Sequence, residues 1–188
     1  MAKTLEKYYL KPTPHCPNNV FPVLVYRGVL PEPVDEASAT RILERNGWEK
    51  KGTWGTITVK HYHPNTHECY GVIQGESELI FGVGGADDPE LGVKVLVRVG
   101  DVIVVPAGVA HASVDEDDKS KDESEWYRYI GVYPVGLPQY RFDLATEPLS
   151  EKSDLVEESR NVPIPQDPVS GDGGPLRRIW TAAQDNSL

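Results

Sequence analysis

The sequence predicts an all-β chain, a small antiparallel barrel or jelly roll, on three observations. From Gly55 onward, short apolar stretches recur at even spacing. Several of them alternate with period two. Glycine, proline and acidic clusters separate them. Composition agrees with a folded chain: 39% of the 188 residues are hydrophobic and 26% charged, which excludes wholesale disorder. No apolar run approaches the roughly 20 residues that span a bilayer, and the N-terminus lacks a secretory apolar stretch. The formal net charge is −10, whereas a nucleic-acid binder shows a basic stripe. Half of that charge sits in 115–125 (DEDDKSKDESE), read as a solvated loop. The two cysteines, Cys16 and Cys69, are too few for a disulfide scaffold, so a reducing, cytoplasmic setting is expected.

The elements follow in order. Residues 4–10 and 20–26 are strand-like but interrupted by Pro12, Pro14, Pro17 and Pro22, which predicts edge strands or an extended arm. One helix is clear. Asp35 is its N-cap, Ala39, Ile42 and Leu43 share a face, and Gly47 stops it. Beyond Gly55, Ile57, Val59, His61 and His63 fall on one strand face. Residues 68–74 and 77–83 read as two strands joined at Gly75-Glu76 by a tight hairpin. Further strands are expected over 93–99, 102–105, 111–114 and 126–133. After Pro148 the pattern fades to a short polar helix over 150–160, an extended strap over 161–175 with Leu176, Ile179 and Trp180 to dock it, and a disordered tail. The whole, 1–188, is expected to be one domain: N-terminal strands and helix over 1–50, barrel core over 55–145, C-terminal strap over 150–188.

The chemistry is concentrated in Gly55–Gly75. His61 and His63 stand at i and i+2, so both rings leave one face, and Glu68 opens the next strand. A turn through Pro106-Ala107-Gly108 returns His111 toward them. Three imidazole nitrogens and a carboxylate oxygen suit one divalent ion (Fe, Mn, Zn, Ni or Cu) and leave room for a substrate beside it.

These residues resemble the cupin superfamily. Its first motif, G-x5-H-x-H-x4-E-x6-G, is met by Gly55, His61, His63, Glu68 and Gly75. Its second, G-x5-P-x-G-x2-H-x3-N, is met by Gly100, Pro106, Gly108 and His111, with Asp115 in place of the final Asn. The resemblance is to stand-alone bacterial and fungal cupins. It implies a double-stranded β-helix with the metal inside, held by His61, His63, Glu68 and His111.

Around these ligands, Tyr70 and Val72 share the face of Glu68 and are candidates to line the pocket. The aromatic strand over 126–133 leaves two readings open. Its odd face offers Tyr127, Tyr129 and Tyr133 to the cavity; its even face offers Arg128 to hold an anionic substrate. His67 is read as a rim or surface residue, and Cys69 as a small outer-face residue.

The expected function is a divalent-metal-dependent enzyme acting on a small organic molecule, an oxidoreductase of dioxygenase type, with Glu68 as the catalytic proton carrier. The alternatives are redox-neutral lyase or isomerase chemistry in the same pocket, such as decarboxylation or dehydration, and a non-enzymatic metal- or ligand-binding module. The expected partner is a small-molecule substrate, with neither nucleic acid nor membrane. Edge strands of the N-terminal arm offer a route to a homodimer.

Overall fold

The computed structural model describes residues 4–186. Among them are nine strands and three α-helices: β1 (Leu5–Tyr8), β2 (Val23–Tyr26), α1 (Glu36–Arg45), β3 (Trp48–Trp54), β4 (Glu68–Gln74), β5 (Glu76–Phe81), β6 (Val93–Arg98), β7 (Val102–Val105), β8 (His111–Ser113), β9 (Arg128–Pro134), α2 (Ser153–Arg160) and α3 (Pro175–Asp185). The strands form two antiparallel sheets. The larger has the order β1-β2-β7-β4-β9-β3 and the smaller β6-β5-β8. They stack as a jelly roll without being hydrogen-bonded into one closed barrel. None of the described helices is long and apolar enough to cross a membrane.

Each sheet explains its own sequence pattern. The interior between the sheets joins Val23, Tyr70, Leu79, Phe81, Val97 and Ile103. The outer face of the large sheet is covered too, by a second core in which Leu43 of α1 and Leu176 and Trp180 of α3 pack on Leu24, Val104 and Val132. A sheet buried on both faces needs continuous apolar strands, hence Val23–Tyr26 and Val102–Val105 without alternation. In the small sheet β6 is an edge and alternates between buried and solvent-facing residues.

The helix over 36–45 forms as the sequence predicts. The Asp35 side chain accepts from the Ser38 N–H, and Ser38 answers the Asp35 N–H, a reciprocal cap. Gly47 follows with φ of +81°.

Several expectations are corrected. The hairpin at Gly75 does not exist: β4 lies in the large sheet and β5 in the small one. Gly75 instead turns a corner between sheets, with φ of +62° and a position where a Cβ would come within 2.5 Å of the Glu125 carbonyl oxygen. The regular strand lies over 48–54, before Gly55 rather than after it. Residues 55–60 are irregular, and just after them His61 and Tyr62 form isolated bridges, to His111 and Asp143. β2 is not an edge, because β1 and β7 flank it and Pro22 stops just short of the ladder.

The C-terminal strap is corrected as well. Residues 161–174 are irregular, tied down by the buried Asp167, which accepts from the Tyr26 hydroxyl at 2.6 Å and from the backbone N–H groups of Val169, Ser170 and Leu176. Pro175 then starts a helix at N1. That helix runs to Asp185, so most of the tail expected to be disordered is ordered; Ser187 and Leu188 lie outside the described residues.

Candidate metal centre

Four side chains from separate stretches meet at one end of the inter-sheet space. His61 and His63 come from the bridge segment before β4, Glu68 from the first residue of β4, and His111 from the first residue of β8. The segments are locked together by backbone bonds. His111 N–H donates to the His61 carbonyl at 2.9 Å, and Gly108 N–H to the His63 carbonyl at 2.8 Å. Gly108 takes φ of +81° and has Asn18 and Ser159 so close that a Cβ would collide with them. The tight turn that aims His111 therefore needs glycine.

All four candidate ligand atoms lie within 4.8 Å of one another. The three imidazoles share one hydrogen-bond logic. His61 Nδ1 lies 2.8 Å from the Val59 carbonyl, His63 Nδ1 2.6 Å from that of Arg141, and His111 Nδ1 3.0 Å from that of Val109. A carbonyl only accepts, so each Nδ1 carries its proton and each Nε2 is left to turn inward, with a free lone pair whenever the ring is neutral. His63 Nε2 and His111 Nε2 both stand 3.0 Å from Glu68 Oε2.

Electrostatics follows from this packing. Burial pushes the His61 imidazole down to about 4, and His111 pushes the same way. Burial would also lower His63 and raise Glu68. Their mutual attraction outweighs it, lifting His63 and, with His111, holding the Glu68 carboxyl well below its ordinary range. His111 Nε2 is buried without a hydrogen bond, although a carboxylate oxygen is beside it. A lone pair facing a carboxylate in a dry site is unfavourable unless a cation sits between them. Three neutral imidazoles and one carboxylate fit a borderline divalent ion in that place.

The surroundings decide which other candidates belong. Tyr70 and Tyr129 line a small cavity beside His61 and His111, with Ile57, Leu79 and Ser113. Val72 lies deeper, in the apolar interior between the sheets. Arg128 is turned away: Tyr129 pairs with Val72 and faces inward, so its neighbour faces out. There Arg128 lies over the Trp126 ring and 3.9 Å from Asp117. The odd face of β9 is thus the inner one, and Ile130 and Val132 pack in the outer core.

His67 is not a rim residue. It is fully buried, accepts the Ala107 N–H on Nδ1 at 2.9 Å, and packs against Trp180 at 4.8 Å. Burial drives its imidazole down to about 3, so it is a neutral pin between the two motif segments. Cys69 lies in the outer core, as its position beside Glu68 implies.

Sequence reasoning missed the segment Tyr140-Arg141-Phe142, which lies outside both motifs. Asn65 fixes it by donating to the Gln139 carbonyl and accepting from the Arg141 N–H. It supplies the carbonyl that orients His63, stacks Tyr140 on Tyr133 at 4.6 Å, and sets Phe142 edge-on to His61 at 6.0 Å. An aromatic pair flanking an invisible backbone contact leaves no spacing signature.

A family profile described as Cupin matches residues 53–123, the stretch that holds all four side chains. The uncharacterized protein YjlB of Bacillus subtilis (strain 168) is 30% identical over 182 residues, 96% of this chain and 99% of that one. The chain belongs to the cupin family. Among solved structures, this cupin is similar to procruciferin, an 11S globulin from Brassica napus, at TM-score 0.35 and 14% identity over 75% of this chain; it spans only 30% of that chain. It is also similar to RmlC from Streptococcus suis in complex with dTDP-D-xylose, at TM-score 0.37 and 13% identity over 76% of this chain and 78% of that one.

Proposed function

We propose that this cupin is a divalent-metal-dependent enzyme that oxidises a small organic molecule with dioxygen. One observation carries the reading: three imidazoles, each held through Nδ1–H by a main-chain carbonyl, turn their Nε2 atoms with Glu68 toward one point beside a phenol-walled cavity. A divalent transition ion bound there supplies Lewis acidity and, for Fe, Mn or Cu, one-electron chemistry.

The chain's own residues do the rest. His63, Glu68 and His111 are buried while His61 is half-buried, so access is from the His61 side, next to the exposed Phe142. The cavity is narrow, with room for about one water-sized molecule, so wall side chains must yield to any organic substrate. Among the described residues lining it there is no lysine or arginine. A wall of Tyr70, Tyr129, Leu79 and Ile57 suits a neutral aromatic or enol better than a polyanion, which favours oxidation over the decarboxylation of a free acid. Tyr70 and Tyr129 wall the cavity against water. Glu68, beside the His63 and His111 imidazoles at 3.0 Å, is the carboxylate placed to take the proton that such a substrate releases on binding.

Oxygen-electrode assays on protein loaded separately with Fe(II), Mn(II), Cu(II), Ni(II) and Zn(II), over a panel of catechols, enediols and β-diketones, test this. Substrate-dependent oxygen uptake with one of the redox-active ions is expected. Equal turnover under strict anaerobiosis contradicts it and assigns the pocket to redox-neutral chemistry.

A further inference from the structure

The two oxygens of Glu68 have different neighbours. Oε2 faces His63 Nε2 and His111 Nε2 at 3.0 Å each, and the Tyr70 hydroxyl donates to it at 3.3 Å. Oε1 is engaged elsewhere: the Tyr133 hydroxyl donates to it at 2.5 Å. Both residues are buried, Glu68 at 4% and Tyr133 at 6% exposure, so solvent does not compete for this bond. The phenol ring is itself held. Tyr140 stacks on it at 4.6 Å and 8°, and His63 meets it edge-on at 5.7 Å and 90°.

A carboxylate can offer a cation one oxygen or both. A buried oxygen without a donor seeks one, and a cation beside it is the nearest remedy. With a phenol already bound, Oε1 has no such need. We infer that Tyr133 is a positioning residue that confines Glu68 to one-oxygen coordination and so keeps a further position at the metal centre free for substrate. The inference rests on the metal-centre reading above. It assigns Tyr133 no contact with substrate.

The test is titration of metal-free, full-length wild type, Tyr133→Phe and Tyr140→Leu with Co(II), following uptake and the visible ligand-field band. The phenylalanine variant removes one hydroxyl and keeps the ring. Its Glu68 is expected to close on the ion through both oxygens, with the band shifted and weakened by about twofold as coordination rises, and uptake retained. Tyr140→Leu keeps the hydroxyl but frees the ring, so a shift of the same sign and smaller size is expected. It also reads the contact if Tyr133→Phe does not fold. Wild-type uptake with superimposable bands in the folded variants overturns the role of Tyr133 and leaves the metal centre standing. Absence of Co(II) uptake by wild type overturns both.

Discussion

Alanine in place of His63 is expected to abolish stoichiometric binding of a divalent metal, weakening affinity by at least about 100-fold. The ring is one of four donors within 4.8 Å, and its Nε2 is 3.0 Å from the carboxylate oxygen that the other buried imidazole also faces. Losing it removes a ligand and leaves Glu68 facing only His111 across the gap. The fold is expected to survive, because the neighbouring chain is also held through backbone, by the His63 carbonyl to Gly108 and the His61 pairing with His111. Elemental analysis after loading and dialysis, beside circular dichroism, measures it. Full metal content in a folded His63→Ala protein would remove this residue from the centre.

Trp180→Ala is expected to lower stability by about 3–5 kcal/mol, or a thermal midpoint by about 10 °C for a chain of this size. Trp180 is fully buried. It stacks on Phe21 at 4.9 Å and 3°, packs on His67 at 4.8 Å, and donates through Nε1 to the Pro22 carbonyl at 3.0 Å. The substitution opens a cavity under α3 and leaves the Pro22 carbonyl without its indole donor. A thermal scan measures the loss. A midpoint within 2–3 °C of wild type would show that the C-terminal helix is not part of the core. The effect is expected to reach the metal centre as well. His67 links Trp180 to the Ala107 turn that leads into His111.

The cluster of His61, His63, Glu68 and His111 was legible in the sequence because it is written in backbone spacing. His61 and His63 flank one residue, Glu68 follows a short link, and Gly108 permits the turn before His111. What stayed illegible depends on burial. Strand alternation reports facing only when one face meets water, and the central strands of the large sheet, unlike its edge β3, have none that does. Tyr127 and Tyr129 go inward while Ile130 and Val132 go outward into an equally apolar core. Arg128 followed from the same ambiguity.

The hairpin expected at Gly75 failed for a related reason. A glycine with positive φ turns a chain equally well within a sheet or between sheets, and nothing local distinguishes the two. The apolar spacing of Leu176, Ile179, Trp180 and Ala183 is a helical one with Pro175 at its start. The glycine- and proline-rich segment before it obscured that signal. His67 looked like a surface residue because strand alternation turned it away from Glu68; the side it faces is covered by Trp180.

The most direct test is X-ray absorption at the metal edge of the loaded protein, which counts imidazole rings by their multiple scattering. Three imidazoles and at least one further oxygen bound directly to the metal are expected, as His61, His63, His111 and Glu68 require. One imidazole or fewer, or sulfur bound directly to the metal, would contradict a centre built from these four side chains.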